Sequence, residues 1–145
     1  MDPVSALGVA AAVVQFVDFS SRILSKGSEF YKNGALIRDK DIAQAAASLT
    51  QLSNRLSDWL GRLQSSRGHT FEEVALMTTI EECKVTGSKL VITLQQLEVR
   101  GKHKVWKSLR QALESEWKKE NIQQTYQRLA TLRESIVTHL LVIIK

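Results

Sequence analysis

Cysteine occurs once, at position 83, and proline once, at position 3. The 145 residues contain no glycine-rich phosphate loop, no His-Glu-x-x-His and no Gly-x-Ser-x-Gly. A lone cysteine excludes an internal disulfide framework and any multi-cysteine metal site, and makes a reducing, cytoplasmic compartment the expectation. A single proline and seven glycines leave long uninterrupted stretches dominated by Ala, Leu, Gln, Lys, Arg and Glu, the composition of an all-helical chain. Hairpin signals are missing too, since Asn33-Gly34 stands between two helical patterns.

The same scarcity argues against catalysis. His69, His103 and His139 are far apart in sequence, and none accompanies Cys83 in a known motif. Cys83 falls in mid-helix and reads as a packing residue. Glu72-Glu73 and Glu81-Glu82 are adjacent pairs, whose side chains diverge around a helix instead of forming one acid/base couple. No enzyme activity, cofactor or metal is expected.

Charge is absent from the fifteen residues Pro3 to Val17. This run follows Asp2 instead of a basic segment and leads to no cleavage site, so it makes a poor signal peptide. At ~1.5 Å per residue it covers about 22 Å, short of the roughly 30 Å hydrocarbon core of a bilayer. A helix so apolar must sit in a core or enter another apolar phase. Elsewhere the net charge of +5 is unevenly spread. Arg100 to Glu120 carries seven basic and three acidic residues, a balance of +4, whereas His69 to Val99 has two basic and five acidic residues, a balance of −3. Such asymmetry favours oriented contact with an anionic surface or an acidic neighbour.

The periodicity predicts an antiparallel bundle of four long helices plus one short helix, forming a single domain over residues 1–145. The first helix opens with Asp2 as N-cap and Pro3 at its first position, and ends between Ser25 and Asn33. The second runs from Asp39 or Asp41 to Gln64, with Ile42, Ala46, Leu49, Leu52, Leu56, Leu60 and Leu63 on one face. The third opens on a capping box, Thr70 with Glu73. Its expected core face is Val74, Met77, Ile80, Leu90, Leu94 and Leu97, with Gly87 admitting a close neighbour. A short helix presents Trp106, Leu109, Leu113 and Trp117. The last, from Lys119 to Ile144, presents Ile122, Tyr126, Leu129, Leu132, Ile136, Leu140 and Ile143. Leu7, Val14, Leu52, Leu56, Leu94, Leu109, Leu129 and Ile136 are expected to be buried.

Two segments invite a functional reading. In the first helix Gly8, Ala11, Gln15, Asp18 and Arg22 form a small-and-polar stripe, while Leu7, Val9, Val13, Val14, Phe16, Val17, Ile23 and Leu24 occupy the remainder. Gly8 and Ala12 make a small-xxx-small pair that permits close helix contact in lipid. In a packed bundle the stripe faces water or a polar seam; in an assembly it lines a pore. Farther on, Lys104, Lys107 and Arg110 give an amphipathic helix a basic edge suited to anionic lipid. Nucleic-acid binding rests on net charge alone, without helix-turn-helix geometry, and is not expected.

Met1-Asp2-Pro3-Val4-Ser5-Ala6-Leu7-Gly8-Val9-Ala10, continuing through Val14-Gln15-Phe16-Val17-Asp18-Phe19-Ser20-Ser21, resembles the opening of the fungal HeLo-like amino-terminal domain of STAND and NOD-like receptor proteins. Trp106 to Leu113 and Leu129 to Leu141 extend the likeness. The resemblance implies a helical effector or signalling domain of innate immunity or heterokaryon-incompatibility cell death, acting beside a NACHT or NB-ARC receptor. It also implies self-association, with the apolar first helix then moving from the cytoplasm to anionic lipids of the plasma membrane. On that reading Val4, Leu7, Gly8, Ala11, Ala12, Val14, Gln15, Asp18 and Arg22 form the insertion and oligomerisation helix. Lys104, Lys107 and Arg110 form the anionic-surface patch. The alternative is a non-lytic adaptor that recruits partners by helix-helix contact.

Overall fold

A computed structural model of the chain describes residues 2–25, 39–65, 68–100 and 117–144. Among these every regular element is a helix: α1 Pro3–Ser25, α2 Asp39–Gln64, α3 Phe71–Arg100 and α4 Lys119–Ile144. The expected short helix, with His103, Lys104, Trp106, Lys107, Leu109, Arg110 and Leu113, lies outside the described residues.

Local chemistry sets the helix ends. Asp2 caps α1, its carboxylate accepting the Ser5 amide at 3.2 Å while its carbonyl accepts the Ala6 amide at 3.0 Å. Hydrogen bonds from the Ser5 hydroxyl and then the Ser5 amide hold the Asp2 carboxyl below its usual pKa. At α3 the Thr70 hydroxyl oxygen accepts the Glu73 amide at 3.1 Å and its proton meets the Glu73 carboxylate at 3.1 Å. Between α2 and α3 the chain reverses through Gly68, whose φ of 66° suits glycine. His69 Nε2 donates to the Leu63 carbonyl at 2.7 Å, satisfying an acceptor at the end of α2.

The helices pack as a bundle in which α1 touches α2, α3 and α4, and α3 touches α2 and α4. Gly8 of α1 faces Trp59 of α2, and Gln15 is bonded to Arg55, so residue numbers rise along α1 as they fall along α2. Glu72 and Glu82 of α3 pair with His139 and Arg128 of α4 in the same inverted order. These neighbours are therefore antiparallel. One core joins Val9, Val13, Phe16 and Leu24 of α1 with Leu49 and Leu56 of α2, Ile80, Leu90 and Leu94 of α3, and Leu129 and Ile136 of α4. Gly87 is where three helices meet, for a Cβ there would lie 2.8 Å from both Phe16 Cζ and Ser53 Oγ.

Of the residues expected to be buried, Leu56, Leu94, Leu129 and Ile136 are, Val14 and Leu52 are half-buried, and Leu7 is 53% exposed. Val74 and Tyr126 are also exposed, where the periodic faces predicted core. The third helix explains its own misreading. Thr79 and Thr93 enter its core face because each hydroxyl donates to the carbonyl one turn back, at 3.0 and 2.9 Å, so polar residues share that face while Val74 turns outward. Leu76 and Cys83 complete the face instead.

Candidate functional site: the first helix

Helix α1 is both a core element and the chain's most apolar segment. Val9, Val13, Phe16, Val17, Ile23 and Leu24 are buried, as are Ala6, Ala10 and Ala12. Pro3–Leu24, 22 residues, is long and apolar enough to cross a membrane by length and composition, a test that a buried core helix also passes. The charge-free run Pro3 to Val17, short of a bilayer by itself, is only the first part of that helix. The helix does not stop where charge begins at Asp18, because Phe19, Ile23 and Leu24 still have a core to join.

The outward stripe of α1 consists of Val4, Leu7, Ala11, Gln15, Asp18 and Arg22, all exposed. It is polar only in its second half. Gln15 accepts a hydrogen bond from Arg55 Nη1 of α2 at 2.7 Å, and Asp18 accepts one from Arg133 Nε of α4 at 3.1 Å. The polar seam thus ties α1 to the helices on either side of it. Both contacts are water-exposed, and an exposed pair contributes at most ~1 kcal/mol, so burial, not these bonds, holds the helix.

Gly8 does not belong to that stripe. Its α-carbon faces α2, where a Cβ would overlap Trp59 Cζ2 and lie 2.9 Å from Cη2. Ala12 is buried in the chain's own core. The small-xxx-small pair is thus already occupied, with Gly8 against an indole and Ala12 among core residues. Arg62 lies over the Trp59 ring, 4.8 Å from its centroid, and adds a cation–π contact to the same residue.

One end of the bundle escaped the sequence reading. The antiparallel packing brings together the amino-terminal ends of α1 and α3 and the carboxy-terminal ends of α2 and α4. Large apolar side chains are exposed there: Val4 at 76% and Leu7 on α1, Phe71 at 81% and Val74 on α3, Leu141 at 57% and Val142 on α4. The sequence signal was a terminal turn of α4 that is apolar all round. Nearby, an open groove of about 330 Å³ between α3 and α4 is lined by Phe71, Val74, Thr78 and Leu132, with the Glu82–Arg128 pair, bonded at 2.6 and 2.7 Å, and His139 beside it. The end of α3 and the start of α4 lie at the opposite end of the bundle. Lys104, Lys107 and Arg110 themselves lie outside the described residues.

Cys83 is buried. Desolvation first, with Glu82 second, pushes the Cys83 thiol up to about 12 against the opposing charge of Arg128, so it stays protonated. His139 Nδ1 donates to Glu72, and no group of three or more His, Cys, Asp or Glu suited to a metal occurs among the described residues. No family model, curated protein or solved structure matches this chain.

Proposed function

We propose that the chain is an effector bundle of the HeLo-like type, which on self-association commits α1 to a membrane. The observation that carries this reading is the double character of α1, a core helix whose 22-residue stretch Pro3–Leu24 also satisfies the length and composition of a bilayer span. The same surface has two apolar destinations, and the fold is the resting one.

Energetics then dictate the trigger. Moving α1 out of the bundle exposes Val9, Val13, Phe16, Val17, Ile23 and Leu24, at ~1.5–3 kcal/mol for each fully buried large side chain, unless lipid receives them. Asp18 and Arg22 oppose solitary insertion, since ionisable groups within a bilayer need a partner or a polar lumen. Several copies supply both, with Ala11, Gln15, Asp18 and Arg22 facing one another. A receptor bearing a NACHT or NB-ARC domain is the proposed source of clustering, and Lys104, Lys107 and Arg110 the proposed first contact with anionic lipid. The second reading, a non-lytic adaptor, is favoured by the exposed apolar end, which offers a protein-binding surface without any release of α1.

Deleting residues 1–24 would remove part of the core, so the discriminating experiment restrains α1 instead. Cysteines placed at exposed Gln15 and Arg55 are joined by a short bis-maleimide, with buried Cys83 remaining unreacted. The reading requires that the clustered parent release dye from phosphatidylserine-containing liposomes and that the cross-linked protein not do so. Equal leakage from both contradicts release of α1, and a clustered parent that never permeabilises assigns the chain to the adaptor reading.

A further inference from the structure

We infer that Trp59 is a latch on the amino-terminal half of α1, and that this half, Pro3 to Val13, opens from the resting bundle ahead of the half that follows. Burial along α1 is graded. Up to Val13 the buried side chains are Ala6, Val9, Ala10, Ala12 and Val13, whereas beyond it they include Phe16, Val17, Ile23 and Leu24. Alanine has little apolar area to remove from water, and phenylalanine, isoleucine and leucine have much more, so the second half is held more strongly. Phe16 is further fixed where three helices meet, its ring lying against Gly87 of α3. Polar contacts follow the same gradient. The bonds from Arg55 to Gln15 and from Arg133 to Asp18 both fall in the second half, while the Asp2 cap is local to α1.

Trp59 offsets this imbalance. Its half-buried indole lies on the α1 backbone at Gly8, so close that a Cβ there would overlap the ring, and the Arg62 guanidinium packs over the same ring. A glycine at this position lets one large side chain of α2 grip the stretch of α1 whose own buried residues are small. Without that grip, Pro3 to Val13 is shorter than the ~12–15 residues at which an isolated helix becomes even marginal in water, so a detached segment loses its helical hydrogen bonds. Opening of a weakly buried element without global unfolding is a general property of native proteins. The regulatory consequence rests on the membrane reading proposed above. The half that opens first lies within the charge-free run Pro3 to Val17, so it can meet lipid while Asp18 is still bonded to Arg133.

Native-state hydrogen exchange of the 145-residue chain, read at single amides by NMR without lipid, tests the latch. The amides of Val9 to Val13 are compared with those of Ser20 to Leu24 in the parent, in Trp59→Leu, in Gly8→Ala and in Ile122→Val, a small core change at the start of α4. In the parent the first set is expected to exchange about tenfold or more faster than the second. Trp59→Leu and Gly8→Ala should each speed the first set by about another tenfold, and the second set only by the factor that urea denaturation assigns to global stability. Ile122→Val should leave the first set within about twofold, because that set does not exchange through global unfolding. Equal exchange of the two sets in the parent means that α1 opens as one unit and overturns the inference. So does fast exchange of the first set that both Trp59→Leu and Gly8→Ala leave unchanged, which is fraying without a latch, or a variant effect equal in both sets. A clustered parent that never permeabilises liposomes ends the membrane reading and leaves these exchange rates as they are.

Discussion

The indole of Trp59 fills the space that any side chain on Gly8 would need. Helix-helix contact at this glycine is made inside the bundle, between α1 and α2. A test that treats Gly8 only as a probe of assembly therefore perturbs the fold first.

Gly8→Ala gains about 1 kcal/mol of helix propensity and loses roughly 1–3 kcal/mol to overpacking, so a net loss of stability is expected. Urea denaturation measures it. Combining Gly8→Ala with Trp59→Phe should recover part of the loss, because the smaller ring vacates the contested space; strict additivity in the double-mutant cycle would show that the two do not touch.

Adjacent positions of α1 should respond very differently. Val13 and Phe16 are fully buried, and Phe16→Ala is expected to cost ~3–5 kcal/mol, whereas Val14 is half-buried and Leu7→Ala should stay within about 0.5 kcal/mol. Chemical denaturation of the series reads the orientation of α1 directly, and comparable losses at Leu7 and Phe16 would mean that the helix is rotated from the position described.

Ser20 is the reverse case, a fully buried hydroxyl with no hydrogen-bond partner among the described residues. Ser20→Ala removes an unsatisfied polar atom and improves helix propensity, so it should stabilise the bundle by roughly 1 kcal/mol. On the membrane reading the same change should slow dye release, since it favours the state in which α1 is packed.

Acid should loosen two helix starts. Asp2 and Glu73 have pKa values below their ordinary 3.8 and 4.5. Burial of Glu73 pulls upward, but the Thr70 hydrogen bond and nearby positive charge outweigh it. A depressed carboxylate contributes stability that is present above its unfolded-state pKa and lost as pH falls through the folded one. Melting temperature should therefore decline below about pH 4.5, less steeply in Glu73→Gln, and a parallel decline in both proteins would assign the acid limb to other groups.

Periodicity was sufficient for the long helices because each carries an apolar face deep enough to specify burial, as Leu49, Leu56, Leu60 and Leu63 do in α2. It failed where a helix is apolar nearly all round. Nothing in the residue types distinguishes Leu7 from Val9; what separates them is which flank of α1 its neighbours leave open, a tertiary fact. Gly8 fell on the wrong face for the same reason, small size being equally compatible with a water-facing stripe and with a pocket for Trp59. The apolar end was legible only in the last turn of α4, because its residues come from three helices and only antiparallel packing brings Phe71 to the end that holds Val4 and Leu141.

The central claim is that α1 leaves its core position for lipid, and an environment-sensitive fluorophore on α1 reads this most directly. Ala11→Cys places the label on the exposed stripe, and Ile92→Cys places it on α3 as a reference, with Cys83 buried in both. The labelled chain is fused to an inducible clustering module and mixed with phosphatidylserine-containing liposomes. On clustering, the account predicts a blue-shifted label at position 11 that lipid-borne quenchers reach, while the label at position 92 remains in water. A label at position 11 that stays in water while the clustered protein is bound to the liposomes would contradict it.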